Sequence, residues 1–199
     1  MLILMDYLSL ILMGLVFLIL LKFYEDSDYL QLKCIISKED GNTYCVRERL
    51  KLEMAANLLA RTTKKLNAVV YHMKKNLPDN KITKLLEQRY NPKKIQETLP
   101  TSEHTAYSEN KGEKLAFCLD KKKDGSGTLI DENTLMFVAL HELAHIGTEK
   151  IGHTDEYWQN FKFLIEQAKE IGVYDPVDYA KNPKKYCGMS ITDNPYYDL

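Results

Sequence analysis

The chain opens on an almost unbroken apolar run, MLILMDYLSLILMGLVFLILLK, in which Asp6 is the one charge before Lys22. Residues 1–21 have the length a helix needs to cross a bilayer, with Asp6 at an interface. A cleaved signal peptide would carry a basic leader and a small-residue cleavage site. Neither is present, so an uncleaved anchor over residues 1–23 is expected. Residues 24–45 turn polar, with a β-prone run at 30–36 and a turn signal at Glu39-Asp40-Gly41-Asn42, which reads as a tether or a small hairpin. Across 46–77, Leu50, Met54, Leu58, Leu59, Leu66, Val69, Val70 and Met73 recur at helical spacing, predicting one long amphipathic helix or two. Pro78-Asp79-Asn80 stops it, and a shorter helix is expected over 81–90, ended by Asn91-Pro92.

Short β-prone runs follow at 95–99, 105–108, 115–119 and 128–130, the last two separated by a Lys- and Gly-rich loop at 121–127. Then comes a strongly apolar helix. Asp131 suits its N-cap and Glu132 the positive end of its dipole, while Gly147 is a fitting stop. Leu135, Met136, Val138, Ala139, Leu140, Leu143 and Ala144 give it a surface to bury. A further helix over 156–171 buries Trp158, Phe161, Leu164, Ile165 and Ala168. The Pro-punctuated, Tyr-rich tail is expected to be irregular and wrapped on the domain. The fold class expected is α+β, with an N-terminal transmembrane helix followed by one small domain at 46–199. That domain divides into a basic helical part, 46–94, and a part at 95–199 holding the sheet, the apolar helix and the C-terminal helix.

At 199 residues and 45% apolar content, the chain can bury one good core. Its net charge of −1 hides an asymmetry. Residues 46–100 hold 13 Lys/Arg against 5 Asp/Glu, whereas 101–199 hold 11 against 17. The basic part invites nucleic acid or anionic lipid as a partner, but no base-stacking or groove-reading pattern accompanies it, so nucleic acid is not favoured. No Lys or Arg precedes the apolar run, and Lys22, Lys33 and Lys38 follow it. This bias favours the domain on the cytoplasmic side of a single-pass anchor. None of the four cysteines forms a C-x-x-C pair, which excludes a zinc ribbon. Cys34 and Cys45 are close enough to bridge and Cys118 could meet Cys187, with reduced thiols the equal alternative.

The chemistry lies on the apolar helix, at His141-Glu142-Leu143-Ala144-His145. Residues four apart share a helical face, so two imidazoles can close on one metal ion with Glu142 flanking it. Zinc suits this arrangement, since catalytic zinc takes three protein ligands and keeps a position for water. His153 is favoured as third ligand: Gly152 before it frees the backbone to turn back, and a neutral imidazole adds no charge beside Glu142. The carboxylates of Glu149, Asp155 and Glu156 are the alternatives.

The span His141 to Trp158, HELAHIGTEKIGHTDEYW, resembles the zincin metallopeptidases, in particular the small WLM, SprT and YgjP-like branch. The resemblance implies a zincin-like fold and a zinc-dependent endopeptidase acting on peptide or protein. It implies His141, His145 and His153 as ligands and Glu142 as general base, with Tyr157-Trp158 as an aromatic pair. The seven residues between His145 and His153 exceed the spacing usual in that branch. Zincins pair extended substrate with an edge strand above the active helix, and Leu115, Ala116, Phe117, Cys118 and Leu119 are the candidate strand. Tyr157 is a candidate oxyanion stabiliser, with His104 and Tyr186 as alternatives. Members acting on DNA-bound proteins supply one competing reading. A non-enzymatic membrane protein with a vestigial metal site supplies another.

Overall fold

The computed structural model describes residues 2–25, 27, 31–123 and 128–198. Leu30 at the head of the first β-prone run, residues 124–127 of the loop and the final residue lie outside them. In chain order the elements are α1 (Leu2–Glu25), a hairpin of β1 (Leu32–Ile36) and β2 (Thr43–Arg47), α2 (Leu52–Asn76) and α3 (Lys81–Arg89). The strands β3 (Ile95–Glu97), β4 (Ala106–Glu109) and β5 (Lys114–Phe117) form the main sheet. After them come α4 (Glu132–Ile146), α5 (Asp155–Glu170), a second hairpin of β6 (Lys184–Tyr186) and β7 (Met189–Ile191), and the short α6 (Pro195–Asp198). The class is α+β, with one apolar N-terminal helix and small sheets.

Helix α1 stands clear of the domain. Its stretch Tyr7–Tyr24 is solvent-exposed throughout and is long and apolar enough to cross a membrane. The Gln31 side chain donates from Nε2 to the Tyr24 carbonyl at 2.8 Å, a hydrogen bond between the residue before β1 and the end of α1.

The domain is organised round α4, whose buried residues include Leu135, Met136, Phe137, Leu140, Leu143 and Ile146. A helix apolar on all sides must be covered on all sides, and α2, α3, α5, β4 and β5 all pack against it. The Asp131 carboxylate accepts the Thr134 amide at 2.9 Å, a cap of about 1 kcal/mol. At the other end, Gly147 has an ordinary φ of −78°, so left-handed freedom is not its role. A Cβ there would lie 2.8 Å from Ile82 Cγ2; the missing side chain lets α3 close on the end of α4.

Four expectations need correction. Val46 and Arg47 belong to strand β2, paired with Lys33 and Leu32, and the amphipathic pattern forms a single helix beginning at Leu52. The strand carries Arg47 inward, where its guanidinium donates to the Thr98, Leu99 and Lys123 carbonyls. Secondly, Leu115, Ala116, Phe117, Cys118 and Leu119 are not an edge strand. β5 is central, parallel to β3 on one side and antiparallel to β4 on the other. Beyond its end, the Cys118 amide bonds the Thr105 carbonyl and the Leu119 carbonyl accepts from Ile130. Five consecutive apolar residues demand cover on both faces; the open edge falls to the half-exposed Ala-Tyr-Ser-Glu of β4. Thirdly, Leu129 makes an isolated bridge to Asp120 in place of a strand at 128–130. Lastly, the tail is irregular only in part: 173–183 holds no regular element, but β6 and β7 pair, turning at Cys187 (φ 47°) and Gly188 (φ 82°). Strands of three residues are too short to show a period.

All four cysteines are bridged. Cys34–Cys45 ties β1 to β2, and Cys118–Cys187 ties the end of β5 to the second hairpin. The basic surplus of 46–100 is largely met within the chain. Arg61 and Lys65 both pair with Glu132 at 2.7 Å, and Lys81 holds Glu149 and Glu156 at 3.0 Å each.

Candidate metal centre and its cleft

His141 and His145 project from one face of α4, and the loop leaving that helix turns back at Gly152 (φ 87°) to bring His153 against them. The ligand atoms of the three histidines all lie within 4.8 Å of one another. His153 Nε2 and His141 Nε2 are 3.2 Å apart. Tetrahedral zinc with bonds of about 2.0–2.1 Å would hold two such nitrogens roughly 3.3 Å apart, so the donor set fits that ion. The carboxylate alternatives do not join the cluster. Glu149 and Glu156 are bound to Lys81, and Asp155 opens α5 on the surface.

Burial sets the protonation of this group. It holds His141 far below its usual range, at about 3, with His145 and His153 adding repulsion. His145 is brought to about 4 by burial, then by His153 and Lys111. Both imidazoles are therefore neutral at pH 7, the form that binds a metal. Glu142 is 5% exposed, and burial lifts its carboxyl to about 8. A dication alongside would favour the carboxylate.

Two hollows meet at this point and share Ala106, His141 and Glu142 as walls. The larger, about 590 Å³, runs between β4 and the loop at Ile151-Gly152-His153. The smaller, about 220 Å³, is mainly apolar, walled by Phe137, Val138, Trp158 and Phe161 on one side and Tyr186, Met189 and Ile191 on the other. The two hollows thus adjoin, with Ala106 of β4 on the wall of both. Because the Cys118 amide bonds Thr105, alternation along the antiparallel ladder turns the backbone groups of Ala106 and Ser108 away from β5, toward the open edge.

Tyr157 is not positioned to stabilise an oxyanion. It is wholly buried, its ring stacks on His145 at 4.4 Å, and its hydroxyl donates to the His141 carbonyl at 3.4 Å. It braces the two imidazoles from behind. The Tyr186 hydroxyl is bonded to the Thr105 carbonyl at 3.0 Å, and His104 is a surface residue beside Tyr107. Met189 is about half exposed on the cleft wall and accepts from the Thr105 hydroxyl.

Several residues at the site carry no motif signal. Thr148 Oγ1 donates to the Ala144 carbonyl at 2.7 Å and Asn160 to Thr148 at 2.9 Å, tying α5 to the end of α4. Lys111, in the β4–β5 turn, reaches the same helix end. Only contacts between distant segments reveal them.

No family model matches the chain, and no solved structure matches it. Relatives are found in a mimivirus and in two invertebrate iridescent viruses. The uncharacterized protein 136R of Invertebrate iridescent virus 6 is 39% identical over 71 residues, covering 35% of this chain and 38% of that protein. The uncharacterized protein 042R of Invertebrate iridescent virus 3 is 47% identical over 60 residues, or 30% of this chain and 36% of that one. The uncharacterized protein R325 of Acanthamoeba polyphaga mimivirus is 31% identical over 160 residues, 77% of this chain and 79% of the relative. Likeness of that extent makes the chain a member of the same family as the mimivirus protein.

Proposed function

We propose that this is a membrane-anchored, zinc-dependent endopeptidase with a zincin-like domain. The observation that carries the reading is the convergence of His141, His145 and His153 beside the buried, unliganded carboxyl of Glu142 in a cleft beneath an edge strand. A zinc ion held by the three imidazoles would supply Lewis acidity, polarising the scissile carbonyl and acidifying water.

The residues of the chain do the rest. Main-chain groups of Ala106 and Ser108 pair with an extended peptide, which gives affinity with little sequence preference. The apolar hollow lined by Phe137, Val138 and Phe161 receives one substrate side chain. Glu142 accepts a proton from the attacking water and returns it to the departing amine nitrogen. Tyr157 and the Thr148–Asn160 pair keep the imidazoles from shifting.

A structural metal site needs no buried carboxyl at its side, which argues against the vestigial reading. The basic helices spend much of their charge on Glu132, Glu149 and Glu156, which leaves little support for nucleic acid. Helix α1 serves as the anchor in this reading. Two cystines favour an oxidising compartment or a virion surface for the domain, opposite to the side that the lysine bias suggests.

The test is metal content and hydrolysis by the full chain in detergent. One zinc per chain is expected, with cleavage of an unfolded protein substrate that Glu142→Gln abolishes while zinc is retained. Equal cleavage by the two proteins would refute the reading.

A further inference from the structure

The carbonyls at the end of α4 and in the loop beyond are claimed one after another by side chains from elsewhere. The last four carbonyls of a helix have no partner within it. Here Thr148 Oγ1 takes Ala144, Arg89 takes Ile146 at 3.3 Å, and Asn160 takes Gly147 at 3.3 Å. Three more fall to a single ammonium. Lys111 Nζ donates to the carbonyls of His145 at 3.3 Å, Thr148 at 2.9 Å and Lys150 at 3.0 Å. A cation at the negative end of a helix is also favoured by the helix dipole.

The backbone holding Lys111 is unusual. Asn110, Lys111 and Gly112 all have positive φ, at 46°, 57° and 109°. Asn and Gly adopt that region readily, whereas Lys does so at a cost. The turn is also wedged in place: a Cβ on Gly112 would lie 2.6 Å from the Arg89 carbonyl. What the strained residue gains is the reach of its side chain into the loop that runs from α4 to His153.

Earlier in the loop Thr148 is tied to Asn160 and Glu149 to Lys81, but beyond Lys150 little else holds the chain before His153. Ile151 is 88% exposed, and nothing lies within 4 Å of where a Cβ on Gly152 would sit. Only those two residues separate the last clamped carbonyl, at Lys150, from His153. The same lysine lines the cleft at the end of β4. It therefore joins the open strand edge to the third imidazole.

We propose that Lys111 is a positioning residue that fixes the 148–153 loop, so that His153 is held in place for the metal and in register with strand β4. The proposal rests on the zinc-site reading given above.

The test uses the full chain in detergent, comparing wild type with Lys111→Gly and Lys111→Arg. Glycine suits a φ of 57°, so Lys111→Gly removes the clamp while relieving the backbone, and the fold should survive. Amide exchange is read in the metal-free protein, and zinc affinity by competition with a chelator. In Lys111→Gly, exchange at 148–153 should rise about tenfold or more, with α2 and α3 unchanged. Zinc affinity should fall about 10- to 100-fold, as for loss of a residue that orients a ligand. Lys111→Arg, which keeps the cation, should recover part of both. Unchanged exchange at 148–153, or a rise shared equally by α2 and α3, would overturn the proposal. A wild-type chain that takes up no zinc, with the loop still loosened in Lys111→Gly, would remove the site reading and reduce Lys111 to a helix cap.

Discussion

The carboxyl of Glu142 should make the metal-free protein less stable as pH rises, and replacing it by glutamine should remove that dependence. Burial lifts the group from 4.5 in the unfolded chain to about 8 in the folded one. Below pH 4.5 both states hold the proton and nothing is lost. Between 4.5 and 8 the unfolded chain has released the proton while the folded one retains it, so folding stability falls by about 1.4 kcal/mol per pH unit. The penalty is under about 1 kcal/mol at pH 5, about 3 kcal/mol at pH 7 and approaches about 5 kcal/mol above pH 8. In Glu142→Gln the new side chain has the same shape and no charge. Its amide adds a constant offset at most, so the pH-dependent part of the difference is the readout. Urea unfolding of the full chain in detergent, stripped of metal and followed by Trp158 fluorescence, should show the two stability profiles diverging from pH 5 to pH 8.5, with the variant the more stable at the alkaline end. Added zinc should flatten the wild-type profile, because a neighbouring dication stabilises the carboxylate. Parallel profiles in the absence of metal would show that Glu142 is not held in a low-dielectric pocket, and the argument from burial would fail.

Two further outcomes follow from the same structure. Ser108→Pro removes an amide at the open edge of β4, where proline is tolerated by the sheet; peptide KM should rise several-fold with kcat and thermal stability little changed, and an unaltered KM would dissociate that edge from substrate. Arg49 bonds Asp120 at 2.9 Å and also contacts Glu97, both carboxylates being buried, so Arg49→Met should cost about 3–5 kcal/mol in urea unfolding; a loss below about 1 kcal/mol would mean that water reaches the network.

Local patterns make much of the site legible. The spacing of His141 and His145 puts them on one helical face whatever surrounds them, and Gly152 marks where the chain can reverse. The apolar surface of 135–144 and the cap at Asp131 mark out α4. Strand order is a different matter. A motif resemblance points to the apolar β5 as the open edge, although five apolar residues in a row describe a strand paired on both sides. The polar, half-exposed β4 is the better choice on physical grounds alone. Tyr157 makes the same point: adjacency to the motif suggests catalysis, while its place on the buried face of α5 makes it a brace. Lys111 has no local signal, since its meaning depends on carbonyls 34 to 39 residues away in the chain.

The Cys118–Cys187 bridge spans 69 residues, and all three histidines and Glu142 fall inside the ring it closes. A backbone cut at the exposed Lys121-Lys122-Lys123 segment, by the protein itself or by another protease, would therefore not separate the two fragments. Nicked molecules would migrate as one species on a non-reducing gel and as two after thiol treatment. The covalent loop thus gives the domain a tolerance to damage that its small core alone would not provide.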